Sequence, residues 1–265
     1  MTQIAPKHLL VTGASSGIGA ALVHEALAQG WMVSGCARRS ERLHQLHDSL
    51  GSHRERFLPL RADVSDAASL DAAVAQAVAQ YGPLSAVVAN AGRGVDGEIT
   101  QLTAEDLATV YDVNVCGVHR TLHACLPHLG SGARFVAVSS VAAFLPIPRM
   151  GAYCATKAAL QSWVAAARME LQHRDIRVMA CCPGTVSTEF FASAPKSGAV
   201  WDWRPGTPLQ PQQVARCILG QIRKGRPRTT LIPWFAGIAA CSYRHLPRLT
   251  EWVLRRALTR MRQRD

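Results

Sequence analysis

Tyr153 and Lys157 stand four residues apart in the stretch Gly151-Ala152-Tyr153-Cys154-Ala155-Thr156-Lys157. On a helix that spacing puts both side chains on one face. A phenol beside an ammonium can pass a proton to or from an alcohol oxygen. The positive charge favours phenolate and so lowers the tyrosine pKa from its usual value of about 10. Tyr-x-x-x-Lys also occurs as plain helix-surface decoration, so the weight of the pair depends on what lies upstream.

Upstream, an apolar run ends in Thr12-Gly13-Ala14-Ser15-Ser16-Gly17-Ile18-Gly19. Three glycines at a strand-to-helix junction permit a tight turn and let backbone N–H groups approach a pyrophosphate at the helix N-terminus. Further polar residues follow at the ends of apolar runs: Asp63-Val64, Asn90-Ala91-Gly92, Ser139-Ser140 and Pro183-Gly184, with Asn114 inside a helical region.

These pieces need elements to position them. The periodicity predicts strands at 8–12, 32–37, 56–60, 85–89, 133–139, 176–182 and 229–232. Helical patterns fall between them at 17–29, 40–50, 66–81, 103–129, 151–173 and 211–224. Such alternation argues for an α/β protein with a parallel sheet covered by helices on both faces. In such a sheet ligands bind beyond the carboxyl ends of the strands, where all the polar residues above would gather. Adjacent strand residues face opposite ways, so only one of Ser139 and Ser140 should face the cleft.

Composition bounds the rest. The chain has 265 residues, about half apolar, without a leader-like apolar stretch before the first strand, which predicts a cytoplasmic protein. The eight cysteines form no Cys-x-x-Cys pair and no zinc-ligand spacing, so no metal is expected and a reducing compartment fits. The net charge of +11 is uneven: residues 221–265 carry eleven Lys/Arg against two acids, 11 − 2 = +9, leaving +2 for the rest. A neutral body with a basic tail and no recognised nucleic-acid motif excludes a general nucleic-acid binder.

Taken in order and spacing, TGASSGIG at 12–19, NAG at 90–92, Asn114, Ser140, YCATK at 153–157 and PGTVST at 183–188 make the chain resemble the short-chain dehydrogenase/reductase family. The resemblance implies a three-layer, doubly wound Rossmann fold of about seven parallel strands in a single domain. Residues 1–140 would mainly bind dinucleotide, 141–230 would carry catalysis and the substrate loop, and 231–265 would form a basic extension. It implies a catalytic set of Asn114, Ser140, Tyr153 and Lys157. Tyr153 would be general acid in reduction and base in oxidation, and Lys157 would lower its pKa and hold the nicotinamide ribose. Ser140, favoured over Ser139 by the family offset, would donate to the substrate oxygen. Asn114 would hold a water linking Lys157 to solvent. The cofactor would lie along Gly13, Ser15, Ser16, Gly17, Ile18 and Gly19, beside Asp63, Val64, Asn90, Ala91 and Gly92. Pro183, Gly184, Val186 and Thr188 would border its nicotinamide end. The family also implies a homodimer or homotetramer, often paired through the two long helices, here 103–129 and 151–173.

Arg38 and Arg39 follow the second strand, where an NAD site would carry an acid. A guanidinium pair suits a 2′-phosphate, so NADP(H) is expected over NAD(H). Phe144, Leu145, Ile147, Met150, Phe190, Phe191, Trp201 and Trp203 would wall an apolar pocket for a hydrophobic carbonyl or alcohol. The alternatives are a 3-oxoacyl-thioester reductase served by an acidic carrier, or an NADP-sensing protein without turnover. In the tail, Leu246, Leu249, Trp252, Val253, Ala257, Leu258 and Met261 recur at helical spacing, opposite Arg248, Arg255, Arg256, Arg260, Arg262 and Arg264. This 246–264 helix would cover the protein's own core or a partner subunit. The competing reading lays it on an anionic membrane as a peripheral contact.

Overall fold

The computed structural model describes residues 7–190 and 207–262. Seven strands form one parallel sheet: β1 (His8–Thr12), β2 (Met32–Ala37), β3 (Phe57–Arg61), β4 (Leu84–Ala89), β5 (Leu129–Val138), β6 (Arg177–Pro183) and β7 (Thr229–Ile232). Their order is β3-β2-β1-β4-β5-β6-β7. The chain therefore reverses direction across the sheet between β1 and β4, which opens a crevice at their carboxyl ends.

Alternation along the strands sorts side chains into two cores. In β1, Leu9 and Val11 enter one cluster and Leu10 the other; in β6, Met179 and Cys181 part company with Val178, Ala180 and Cys182 in the same way. Helices α1 (Gly17–Ala28), α2 (Ser40–Ser49) and α7 (Pro211–Lys224) cover the first face, through Leu22, Leu43 and Ile218 among others. Helices α3 (Ala67–Tyr81), α5 (Gly117–Cys125) and α6 (Gly151–Glu170) cover the second, through Leu70, Leu122 and Leu160. This is the doubly wound Rossmann arrangement expected from the sequence.

Two predicted boundaries change most. The helix expected over 103–129 is broken into α4 (Ala104–Tyr111), a wide π-turn at Asp112–Cys116, α5 and a short 3-10 turn, and Leu129 already belongs to β5. A capping box between Thr103 and Asp106 starts α4. The π-turn carries Asn114, and such turns occur where one side chain must be aimed inward. Strand β5 begins at Leu129 rather than 133, because Leu129 pairs with Leu84 before a register shift restores the ladder at Ala86 and Arg134. Gly130-Ser131-Gly132 carries no strand signal, so the sequence pattern hid that start.

After β7 the chain forms α8 (Ala236–His245) and α9 (Pro247–Arg262). The two pack on each other, and α8 also touches β7. Leu246, Leu249, Trp252 and Val253 are about half exposed, so these side chains do not cover the chain's own core as the sequence suggested.

Candidate active site

Helix α6 explains why Tyr153 and Lys157 are inside. Its buried stripe runs Tyr153, Lys157, Leu160, Val164 and Ala167, at spacings of four and three. The apolar periodicity that docks the helix on the sheet therefore also carries the phenol and the ammonium into the interior. Tyr153 is 6% exposed and Lys157 4%. The Lys157 ammonium donates to the Val138 carbonyl at 3.0 Å and lies 5.6 Å from the centre of the Tyr153 ring.

Burial moves both groups away from their charged forms. Lys157 drops to about 8 from 10.5. Tyr153 is pushed well above the usual phenol value; burial is the main cause, and a hydrogen bond with Ser140 opposes it. Removal of the phenol from water outweighs the Ser140 hydrogen bond, so the net shift is upward rather than the lowering expected from Lys157.

Ser140 and Ser139 diverge as strand geometry demands. The Ser140 hydroxyl is hydrogen-bonded with Tyr153, donates to the Pro183 carbonyl at 3.3 Å and accepts from the Ala142 N–H at 3.1 Å. Ser139 is buried on the other side, with its hydroxyl toward the Lys157 carbonyl at 3.4 Å. The geometry groups Ser140, not Ser139, with the phenol.

Asn114 is fully buried. Its amide donates to the Arg93 carbonyl at 3.0 Å and to the Thr156 hydroxyl at 3.1 Å, and its oxygen accepts from the Arg93 N–H at 2.8 Å. Both amide hydrogens are thus committed to tying the loop after β4 to α6. A water on this residue would have to use the remaining acceptor capacity of its oxygens.

The glycine loop is tied to the same region. The Thr12 hydroxyl accepts from the N–H groups of Asn90 and Ala91, each at 3.1 Å. The Asn90 amide donates back to the Thr12 and Gly13 carbonyls. Gly13 has φ +66°, and a Cβ there would meet Ala91 and Asn90 at about 3 Å. A Cβ on Gly19 would collide with the Gly13 carbonyl. Ser16 caps α1 without a side-chain hydrogen bond, and no acid stands in its first turn. This bare helix N-terminus, under a loop with no room for side chains, fits a dinucleotide pyrophosphate. Ser15, Gly17 and Ile18 are partly exposed on the same turn, and Thr188 reaches within 3.0 Å of a Cβ placed on Gly17.

At the far end of the crevice, Arg38 lies 4.0 Å from Asp63, and the Arg39 guanidinium donates to the Ser16 hydroxyl at 3.3 Å. Val64 packs against Gly117. Near Tyr153, Gly184 donates its N–H to the Ile232 carbonyl at 2.7 Å, and Val186 bridges to Leu209. Gly92 lies close to both Asn114 and Phe190. Every predicted site residue thus falls along the carboxyl edge of the sheet.

Of the predicted pocket wall, Ile147, Met150 and Phe190 cluster with Tyr153. Phe144 instead packs against the core on the α3/α5/α6 face. Phe191, Trp201 and Trp203 lie outside the described residues, as does much of the substrate loop. Thr12, Thr156 and the Arg42–Glu189 ion pair at 2.9 Å were missed by sequence reading. Thr12 had a signal, since a hydroxyl on the last residue of β1 faces the neighbouring strand's end. The ion pair joins residues 147 apart and had none.

A buried tyrosine and lysine with a serine, beside a glycine turn, fit an oxidoreductase of alcohols and carbonyls with a nicotinamide cofactor. Comparison with known proteins agrees: the model of the short chain dehydrogenase family matches residues 7–198. This chain belongs to the short-chain dehydrogenase/reductase family. It is 31% identical over 94% of its length to the dehydrogenase/reductase SDR family protein 7-like of Anopheles gambiae, covering 82% of that protein. Among solved structures, a short chain dehydrogenase from Burkholderia cenocepacia in complex with NADP aligns with a TM-score of 0.77 and 29% identity, covering 87% of this chain and 98% of that one. A 3-ketoacyl-(acyl-carrier-protein) reductase from Brucella melitensis complexed with NADH aligns with a TM-score of 0.77 and 25% identity, over 85% and 96%.

Proposed function

We propose that this enzyme is an NADP(H)-preferring carbonyl reductase, or alcohol dehydrogenase in reverse, for a hydrophobic substrate. The observation that carries the reading is the convergence of Ser140, Tyr153 and Lys157 in one buried site at the carboxyl edge of the sheet. The bound nicotinamide would supply or take the hydride. The Tyr153 phenol, held protonated by burial, gives its proton to the carbonyl oxygen in reduction and takes it back in oxidation. Ser140 donates to the same oxygen and stabilises the charge that grows there. Lys157 offers positive charge beneath the phenol and a donor for the nicotinamide ribose. Asn114 keeps the loop after β4 and helix α6 in register.

The preference for NADP(H) rests on Arg38 and Arg39, which flank Ser16 and Asp63 where a ribose 2′-phosphate would lie. The hydrophobic substrate class rests on the apolar surroundings of Tyr153, formed by Ile147, Met150 and Phe190. Pairing of two chains through α5 and α6 is part of the same reading. Their outer faces leave a groove of about 230 Å³ that includes His119, Leu122, Leu126 and Trp163.

The test is a panel of hydrophobic ketones, aldehydes and a 3-oxoacyl thioester, run with NADPH and NADH side by side. Tyr153→Phe should lower turnover about 10²- to 10⁴-fold while NADPH still binds. Full turnover in that variant would overturn the assigned acid. NADPH binding with no turnover on any substrate would favour a sensing protein.

A further inference from the structure

Among the described residues ten large hydrophobic side chains are exposed, and seven of them fall between positions 234 and 253: Trp234, Phe235, Ile238, Leu246, Leu249, Trp252 and Val253. Trp234 is 78% exposed and Trp252 49%. Helix α8 has no buried residue at all. Isolated exposed apolar residues need no explanation, but seven within twenty residues, on and just before a two-helix hairpin, mark a contact surface.

Its charge identifies the occupant. Arg244, Arg248, Arg255 and Arg256 are exposed on the same hairpin, against a single acid, Glu251, which lies 4.0 Å from Arg255. The Arg256 guanidinium stacks 3.9 Å from the centre of the Trp252 ring, so an aromatic and a cation are presented together. A second copy of this surface would meet four arginines with four arginines. Nucleic acid would satisfy the arginines and leave the aliphatic groups in water. An anionic bilayer satisfies both: headgroups take the guanidinium groups, and the interfacial layer takes the tryptophans and leucines. No described helix is long and apolar enough to cross a membrane, so a hairpin of ten- and sixteen-residue helices lies in the plane of the surface.

The hairpin is also joined to the reaction centre. It leaves β7 just after Ile232, whose carbonyl holds the Gly184 N–H, and the carbonyl of Pro183, one residue earlier, accepts from Ser140. We propose that α8 and α9 dock this enzyme on anionic phospholipid bilayers, with the mouth of the active site beside the membrane. There it takes substrate that partitions into lipid. The docking claim does not depend on the reductase reading; the use made of it does.

Flotation of the full chain with vesicles tests this. Vesicles of phosphatidylcholine with about a third phosphatidylglycerol should carry the protein, and vesicles of phosphatidylcholine alone should carry about tenfold less. Tryptophan emission should shift to the blue on the anionic vesicles only. Trp234→Ser with Trp252→Ser, and separately Arg255→Glu with Arg256→Glu, should each lower partitioning about tenfold or more, with NADPH binding in solution unchanged as the control for folding. No partitioning of the wild type onto anionic vesicles at low salt would overturn the proposal. So would double variants that float like the wild type. So would a tryptophan variant that loses only self-association, or a wild type that ignores vesicles and binds an acidic acyl carrier protein. Vesicle binding by a chain without turnover would leave the docking claim intact while removing the reductase reading.

Discussion

The Phe190 ring meets the Tyr153 phenol edge-on, with centroids 5.9 Å apart and planes at 63°. The same ring comes within 3.4 Å of a Cβ placed on Gly92. Phe190 therefore spans the loop after β4 and the proposed acid, where an apolar substrate would lie. Phe190→Ala should raise KM for hydrophobic ketones roughly three- to tenfold with a smaller change in kcat, from the loss of one aromatic contact. Steady-state kinetics on two ketones of different chain length would show it. An unchanged KM would remove Phe190 from the substrate wall.

Asn114→Leu keeps the volume of the side chain but strands the Arg93 N–H and the Arg93 carbonyl, and leaves the Thr156 hydroxyl with its bond to the Tyr153 carbonyl alone. Each of the three loses a bond it makes to Asn114. Leaving such groups unpaired costs on the order of 2–4 kcal/mol. Urea unfolding should register that loss, together with weakened NADPH binding as the loop after β4 detaches from α6.

Arg39→Ala should weaken NADPH binding roughly tenfold to a hundredfold, the worth of one charge-assisted contact, and leave NADH nearly unaffected. Titration with both cofactors separates the outcomes. An equal loss for both would mean that Arg39 supports the loop through Ser16 instead of reading the 2′-phosphate.

Lys157→Met should abolish turnover yet match or exceed the wild type in stability at neutral pH, because a buried ammonium is costly and methionine is not. The margin should shrink as pH rises. The folded chain releases the Lys157 proton near 8 and the unfolded chain holds it to 10.5. Across that window the unfolded state binds more protons, so the wild type gains stability with pH and the variant does not. Parallel melting curves between these limits would test the sign.

The layered fold and the sheet edge were legible because strands and glycines signal locally. The hydrophobic runs of β1 and β6 and the turn at 12–19 each declare themselves within eight residues. Ser140 was separable from Ser139 because a strand alternates faces. The state of Tyr153 was not legible. Spacing shows that Lys157 shares its helix face, but not that the face is the one buried against β5 and β6, where desolvation governs the phenol. Asn114 was expected to hold a water, and what its side chain binds was not legible. Its bonds go to Arg93 and Thr156, 21 and 42 residues away, and no local pattern announces them. The Arg42–Glu189 pair is a further case of long-range closure.

Thr12 is bonded to Asn90 and Ala91, 78 and 79 positions further along the chain. The glycine turn reads as an eight-residue unit, yet its shape is held by a strand end made much later in synthesis. A nascent chain cut off before β4 would carry the whole turn sequence and still lack the clamp that sets it. The nucleotide-binding turn is thus a composite of two distant segments, and a change at Asn90 would reshape it without altering any of its own eight residues.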